Sequence, residues 1–479
     1  MLSVVMGQVA VAAAVPVVMV QAVAVAAERA VTVQAVAVAE PLVPELSSGL
    51  LHFEKAGKHL FFAPEIPNWL VVNKNSAVLL LNADGQRSVD EILDSVGLQE
   101  SLRQDAYVLF KEAQSRGLLK RHQLESFSGC GDSCVCSDSK ATREGALRSV
   151  YLKLTDDCNL RCKYCYAGSG VGKSTDVLSI EVLRRILKEV SEISPSVEYV
   201  LSGGEPLLHP HALDFAEEAH ALGNSVQILT NGALITTDEM AQRIASVTTL
   251  VKISLDGSTE EIHSISRGKR NFDLVTKGID LLIKHGANVQ VAMTVTAKNV
   301  KDLKNMSDRY GSRLTLQPLF KAGRGKGKAN VALSGKEYYE AMDRVENIAP
   351  MGNVAAVLES LRSRGVKKCA LAEREISISE KGDVYPCQLL HSPEFLAGNI
   401  HDDSLRDLYF NKPTLPKLRK INVDTIEECA QCEIRLICGG GCRARDFYES
   451  GSIETVGEFC EYEKLAFING LLDYTSFET

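Results

Sequence analysis

The sequence predicts an α/β protein: a partial (β/α)6 barrel, preceded by a small winged-helix-like unit and followed by a cysteine-rich segment. Three observations predict it. Strand and helix patterns alternate between residues 148 and 350. Short apolar runs followed by three helical patterns occupy residues 50–121. Seven of the thirteen cysteines fall between Cys369 and Cys460. The 479 residues are enough for about two to four domains.

Composition narrows the function classes. Charged residues are 24% and hydrophobic ones 45%, an ordinary globular balance. A net charge of -8 argues against broad electrostatic binding to nucleic acid. The cysteines are odd in number and closely spaced, unlike the disulfide framework of a small secreted domain. Metal ligation in a reducing, cytoplasmic compartment fits them better.

Residues 1–49 read as a low-complexity Ala/Val-rich tail. Residues 1–27 carry no charge, and VQAVAVA occurs at 20–26 and again at 33–39. The length would suit a membrane span, but no basic stretch opens it as in a signal peptide. A start at Met19 or later is a further alternative.

Residues 50–121 contain LHFE, HLFFAP and NWLVVN, three short strand candidates, then helical patterns at Ser76–Asp84, Ser88–Val96 and Ser101–Gly117. Ser88 with Glu91 has capping-box spacing, and Gly117 suits a helix end. DNA binding is one use of a winged helix, but Ser101–Gly117 balances Arg103, Lys111 and Arg116 with Asp105 and Glu112. Peptide capture at a sheet edge is the other. The segment resembles the peptide-recognition domain of the pyrroloquinoline-quinone chaperone family. A structural appendage is the plain alternative. Residues 122–147 are a polar linker carrying Cys130, Cys134 and Cys136.

In residues 148–350 strand candidates lie at 149–155, 198–202, 225–230, 250–255, 288–296 and 314–318. Helical patterns lie near 179–193, 210–222, 237–246, 273–285 and 301–310. Parallel strands with crossovers put chemistry at their carboxyl ends. The first strand leads directly into CNLRCKYC, with Cys158, Cys162 and Cys165. Zinc normally takes a fourth ligand nearby, and no His stands close. Three thiolates on a four-iron cluster leave one iron open.

That motif resembles the CxxxCxxC signature of the radical SAM superfamily. The resemblance implies that S-adenosylmethionine (SAM) completes the cluster and is cleaved to a 5′-deoxyadenosyl radical. It also implies SAM contacts at Gly203, Gly204, Glu205 and Pro206 of LSGGEP, at Ser254 of ISLDG, and at Arg267 through the SAM carboxylate. A strand-end hydroxyl and a surface ion pair are the plain alternatives for Ser254 and Arg267. Asp256, His263 and Arg324 sit on loops of the same region, and no catalytic residue is assigned.

Farther on come Cys369, Cys387 after GDVYP, then CAQCEIRLICGGGC, then Cys460. A zinc ribbon is one reading. The arrangement resembles the SPASM extension of radical SAM maturases. That implies an outer auxiliary cluster on Cys429, Cys432, Cys438 and Cys460, and an inner one on Cys369, Cys387 and Cys442. Three [4Fe-4S] clusters would result, the inner one with an open iron or a ligand borrowed from Cys130, Cys134 or Cys136. In this resemblance 351–479 forms the auxiliary-cluster domain, and 395–410 is packing between its clusters.

The function implied is maturation of a small ribosomal precursor peptide with a leader sequence. Thioether cross-linking comes first, with reduced flavodoxin or ferredoxin as electron donor. Carbon–carbon cross-linking, decarboxylation, epimerisation, sulfatase maturation and tetrapyrrole side-chain modification are the alternatives. Against sulfatase maturation, Gln388 stands where that family has an Asp acting as base.

Overall fold

The computed structural model describes residues 42–120, 147–345 and 369–473, except 67, 174–176 and 329. Most of the Ala/Val-rich tail and Cys130, Cys134 and Cys136 lie outside the described residues. No helix among the described residues is long and apolar enough to cross a membrane.

The first unit is an antiparallel sheet of β1 (Leu51–Lys55), β2 (Lys58–Ala63) and β3 (Asn68–Asn73). Ala56 and Gly57 both have positive φ, the geometry of a two-residue hairpin turn. Helices α1 (Lys74–Leu81), α2 (Val89–Ser95) and α3 (Arg103–Ser115) follow. The Asn73 side chain accepts from Ser76 N–H at 2.9 Å, so α1 starts earlier than the apolar pattern predicts. The predicted Ser88–Glu91 capping box is present.

Both faces of this sheet are covered. Phe61, Leu70 and Val72 pack against helix residues Leu80, Ile92 and Phe110. Leu60, Phe62, Trp69 and Val71 on the other face pack against Ile434, Ile437, Phe467 and Leu471 of the C-terminal segment. HLFFA is therefore apolar throughout rather than alternating.

The six predicted parallel strands are β4 (Ser149–Lys153), β5 (Glu198–Ser202), β6 (Ser225–Thr230), β7 (Leu250–Ser254), β8 (Val289–Val295) and β9 (Leu314–Pro318). They lie side by side in chain order. Their crossover helices bury one stripe each. In Ile180–Ser191 it is Leu183, Ile186, Leu187 and Val190, below an N-cap at Ser179.

The sheet continues beyond β4. β10 (Glu375–Ile378) pairs parallel to β4, and β11 (Asp383–Tyr385) and β12 (Gly398–Asn399) extend it antiparallel to nine strands. These three strands are two to four residues long, too short for periodicity to reveal. A helix at Glu260–Arg267 was also not predicted; Thr259 caps it and Gly268, at positive φ, ends it. Within 395–410, Leu405, Leu408 and Tyr409 are buried in the main core.

Candidate active site

The loop after β4 carries Cys158, Cys162 and Cys165 over the carboxyl ends of the strands. Three elements hold it. Asn231 Nδ2, just past β6, donates to Asn159 Oδ1 at 2.7 Å and stands 3.9 Å from Cys158 Sγ. Arg324 donates from Nε to Cys162 O at 2.8 Å and from Nη1 to Gly168 O at 2.7 Å, while its backbone N–H reaches Cys165 O at 2.9 Å. From the next helix, Arg267 Nη1 lies 4.0 Å from Cys162 Sγ.

A cavity of about 470 Å³ opens beneath this loop. All three cysteines line it, with Gly203, Gly204, Ser254 and Arg267. The predicted site residues Glu205 and Pro206 do not. Glu205 is fully buried: it accepts from Thr230 Oγ1 at 2.7 Å, Asn231 N–H at 2.8 Å and Leu207 N–H at 3.2 Å. Burial pushes its carboxyl up to about 7 against those bonds. It fixes the end of β6 to that of β5. At Gly204 the chain runs against the start of the cysteine loop: a Cβ there would overlap the Asp157 carbonyl.

Asp256 is fully buried and ion-paired with Arg267, Nε to Oδ2 at 2.5 Å. Its other partners are Tyr164 OH, Ser266 Oγ at 2.8 Å and Thr294 N–H at 2.9 Å. Burial alone would raise its carboxyl; the Arg267 charge and these bonds outweigh it and hold it below the ordinary range. Arg267 thus has a protein carboxylate as partner, beyond the SAM carboxylate expected for it. His263 is also buried, accepting from Asp256 N–H at 3.2 Å and bonded to Asn271.

The C-terminal cysteines form two groups. Cys429, Cys432, Cys438 and Cys460 line a second cavity of about 280 Å³, together with Arg435, Arg443 and Lys464. Cys369 and Cys442 lie close enough to Cys387 to raise its thiol further, after burial. Cys442 lines both cavities, and Gln388 lines the first. Burial raises the thiols of Cys158, to about 12, and Cys460, to about 11. Thiols so placed ionise when a metal supplies the positive charge. Among the described residues, no three or more His, Cys, Asp or Glu side chains converge tightly enough for a single ion. Thiols ringing a cavity, with cations beside them, fit a multi-iron cluster better than zinc.

Residues 152–309 match the radical SAM superfamily, and residues 369–433 match an iron–sulfur cluster-binding domain, SPASM. The chain thus carries a radical SAM domain and an iron–sulfur cluster-binding domain, which make it an enzyme with SAM and iron–sulfur clusters as its cofactors. The second match ends before Cys438, Cys442 and Cys460. A mycofactocin maturase from Mycobacterium tuberculosis is 29% identical over 324 residues, spanning 62% of this chain and 78% of that protein. A cysteine-type anaerobic sulfatase-maturating enzyme from Clostridium perfringens is 26% identical over 360 residues, spanning 65% and 95%. The crystal structure of SuiB from Streptococcus suis, bound to precursor peptide SuiA, shares the fold. Its TM-score is 0.50 at 13% identity, over 86% of this chain and 98% of that one.

Proposed function

We propose that this enzyme modifies a ribosomally made precursor peptide by thioether cross-linking, joining a Cys sulfur to carbon. One observation carries the reading: a single cavity is bounded by the Cys158–Cys165 loop, by Gly203 and Gly204, and by Gln388 and Cys442. A peptide held there faces two groups of metal-ligating thiols. Mycofactocin maturase and SuiB, the latter solved with a precursor peptide, support the substrate class.

Cys158, Cys162 and Cys165 hold the SAM-binding [4Fe-4S] cluster in this reading, and the C-terminal cysteines hold two auxiliary ones. When bound, SAM and the clusters supply one-electron hydrogen abstraction and an acceptor for the second electron. The protein's own contribution is placement. Gly203 and Gly204 let a ligand approach the backbone, with Ser254 and Arg267 beside it. Leu160, Leu229 and Phe320 supply apolar lining to the same cavity. The unit at 50–121 captures the leader. Reduced flavodoxin or ferredoxin supplies the electrons, in the cytoplasm.

Sulfatase maturation is the second reading, favoured by the Clostridium relative. Gln388 weighs against it, because the amide on the cavity wall cannot take a proton as a carboxylate does.

The test is anaerobic incubation of the reconstituted enzyme with SAM, a reductant and the peptide encoded beside its gene, read by mass. Loss of two hydrogens, localised to a cysteine and a neighbouring residue, is expected. Loss of carbon dioxide, or deuterium uptake at one α-carbon, would replace the reaction. An unmodified peptide beside abundant 5′-deoxyadenosine would overturn the substrate.

A further inference from the structure

The cavity beneath the cysteine loop has cations on its wall and, among the described residues, no Asp or Glu. Most of those cations are engaged. Arg267 is paired with Asp256, Arg324 binds the Cys162 and Gly168 carbonyls, and Arg445 lies over the Phe459 ring, 4.1 Å from its centroid. Lys252 differs. It stands in the middle of β7, two residues before Ser254, and both line the cavity. Residues two apart on a strand share a face, so Lys252 lies about 7 Å deeper in the barrel than Ser254. Among the described residues its side chain has neither a hydrogen bond nor an ion pair. Burial lowers its ammonium below the ordinary lysine range, with the more distant Glu198 opposing. The Glu198 carboxylate is occupied elsewhere: Gln227 Nε2 donates to it at 2.6 Å. A cation kept inside a barrel without a direct partner costs stability, and a ligand anion would recover that cost.

We propose that Lys252 is a specificity residue whose ammonium binds a carboxylate of the core peptide and fixes how deeply the peptide enters the barrel. The cavity offers a charge-assisted hydrogen bond at that point and no acidic side chain to repel the ligand. The carboxylate belongs to an Asp or Glu side chain of the peptide or to its C-terminus. SAM carries a carboxylate as well, but Arg267, expected to hold it, stands at the cysteine loop, 4.0 Å from Cys162 Sγ. The source of the ligand rests on the peptide-substrate reading above; the carboxylate site itself does not.

The experiment uses the full chain reconstituted with iron and sulfide, as wild type and as Lys252→Met. Cluster content and SAM affinity serve as folding controls. If Lys252→Met fails to hold its clusters, Lys252→Gln replaces it. The first measurement needs no peptide: sodium propionate and propionamide are compared by saturation-transfer NMR at matched ionic strength. A propionate signal that exceeds the propionamide signal in wild type and falls in Lys252→Met is expected. Equal propionate signals in the two proteins, or none in wild type, would overturn the site. The second uses the precursor peptide encoded beside the gene, its C-terminally amidated form, and forms with each core Asp or Glu replaced by its amide. Lys252→Met is expected to raise KM about 10–100-fold, with a smaller change in kcat. One amide form should raise KM in wild type to a similar extent and add nothing in Lys252→Met, which identifies the side chain or the C-terminus as the source. Lys252→Arg, which keeps the charge, should regain part of the loss. Additive effects for every amide form would overturn the proposal, as would a loss of SAM affinity equal to the rise in KM. A peptide that wild type leaves unmodified, beside a propionate signal that depends on Lys252, would retire the peptide reading and leave the carboxylate site standing.

Discussion

Arg267 and Asp256 form a buried ion pair that ties the end of a short helix to the end of β7, with the third guanidinium nitrogen directed at Cys162. Asp256 is inaccessible to solvent, and the Arg267 side chain is 13% exposed. Asp256→Asn leaves a cation without its partner in the interior. We expect a loss of about 3–5 kcal/mol in stability, measured by denaturant unfolding. Arg267→Lys will not restore the geometry, because one ammonium cannot serve Asp256 and face Cys162 together. Wild-type stability in Asp256→Asn would refute this view of the pair.

Gly204→Ala should separate SAM binding from folding. The added methyl meets the Asp157 carbonyl, which is backbone and cannot rotate away. The end of β5 and the cysteine loop must then move apart. SAM affinity is expected to fall at least about tenfold, or about 1.4 kcal/mol, by equilibrium binding to the reconstituted enzyme. An unchanged affinity would mean that SAM does not depend on this approach.

His391 gives a pH dependence with a defined sign. Its ring stacks on Tyr385 at 4.3 Å between centroids, and Nε2 is 2.8 Å from Ser377 Oγ. Burial, then the Lys153 charge, lowers it to about 3 from 6.5, with Asp156 opposing. The native ring stays neutral while the unfolded one takes up a proton below 6.5, so unfolding binds a proton. Stability contributed by the neutral ring is complete above 6.5 and is lost as pH falls toward 3. The slope approaches about 1.4 kcal/mol per pH unit. In His391→Phe, the unfolding midpoint should depend less on pH in that window; an equal slope would exclude His391 as its source.

Trp69 is the chain's one tryptophan, and it is 2% exposed between the N-terminal sheet and the C-terminal segment. Cys432 and Cys438 pack against the same apolar cluster. Replacing Ile437 by Asp should shift Trp69 emission to the red and raise protease cleavage within 50–121. Trp69→Ala should cost about 3–5 kcal/mol. Emission that stays blue in Ile437→Asp would mean that this junction does not hold the unit in place.

The six parallel strands were legible because short strand patterns alternate with helical stripes at the spacing of βα units. Strands 198–202, 225–230 and 314–318 have the predicted limits. The cysteines and the glycine pair were legible from type and spacing. A motif gives proximity to a site but not direction, so the inward turn of the Glu205 carboxylate to Thr230 and Asn231 could not be read from the sequence. Asn231 escaped notice since its partner, Asn159, is known only from the fold. Arg324 was noticed in AGRGKG but not as the latch on the cysteine loop. HLFFA, in contrast, carried an unread signal: five apolar-dominated residues without alternation require cover on both faces.

The pairing of β10 with β4 changes what can be cut from this protein. Ending the chain near residue 350 would leave every predicted strand of the barrel intact. It would also strip β4 of its neighbour along four residue pairs, Glu375–Ser149 to Ile378–Leu152. The exposed strand, with Val150 and Leu152 now at a margin, would be a template for joining other chains. The cysteine-rich segment is thus a border that keeps the barrel from polymerising, and it cannot be treated as a detachable cassette.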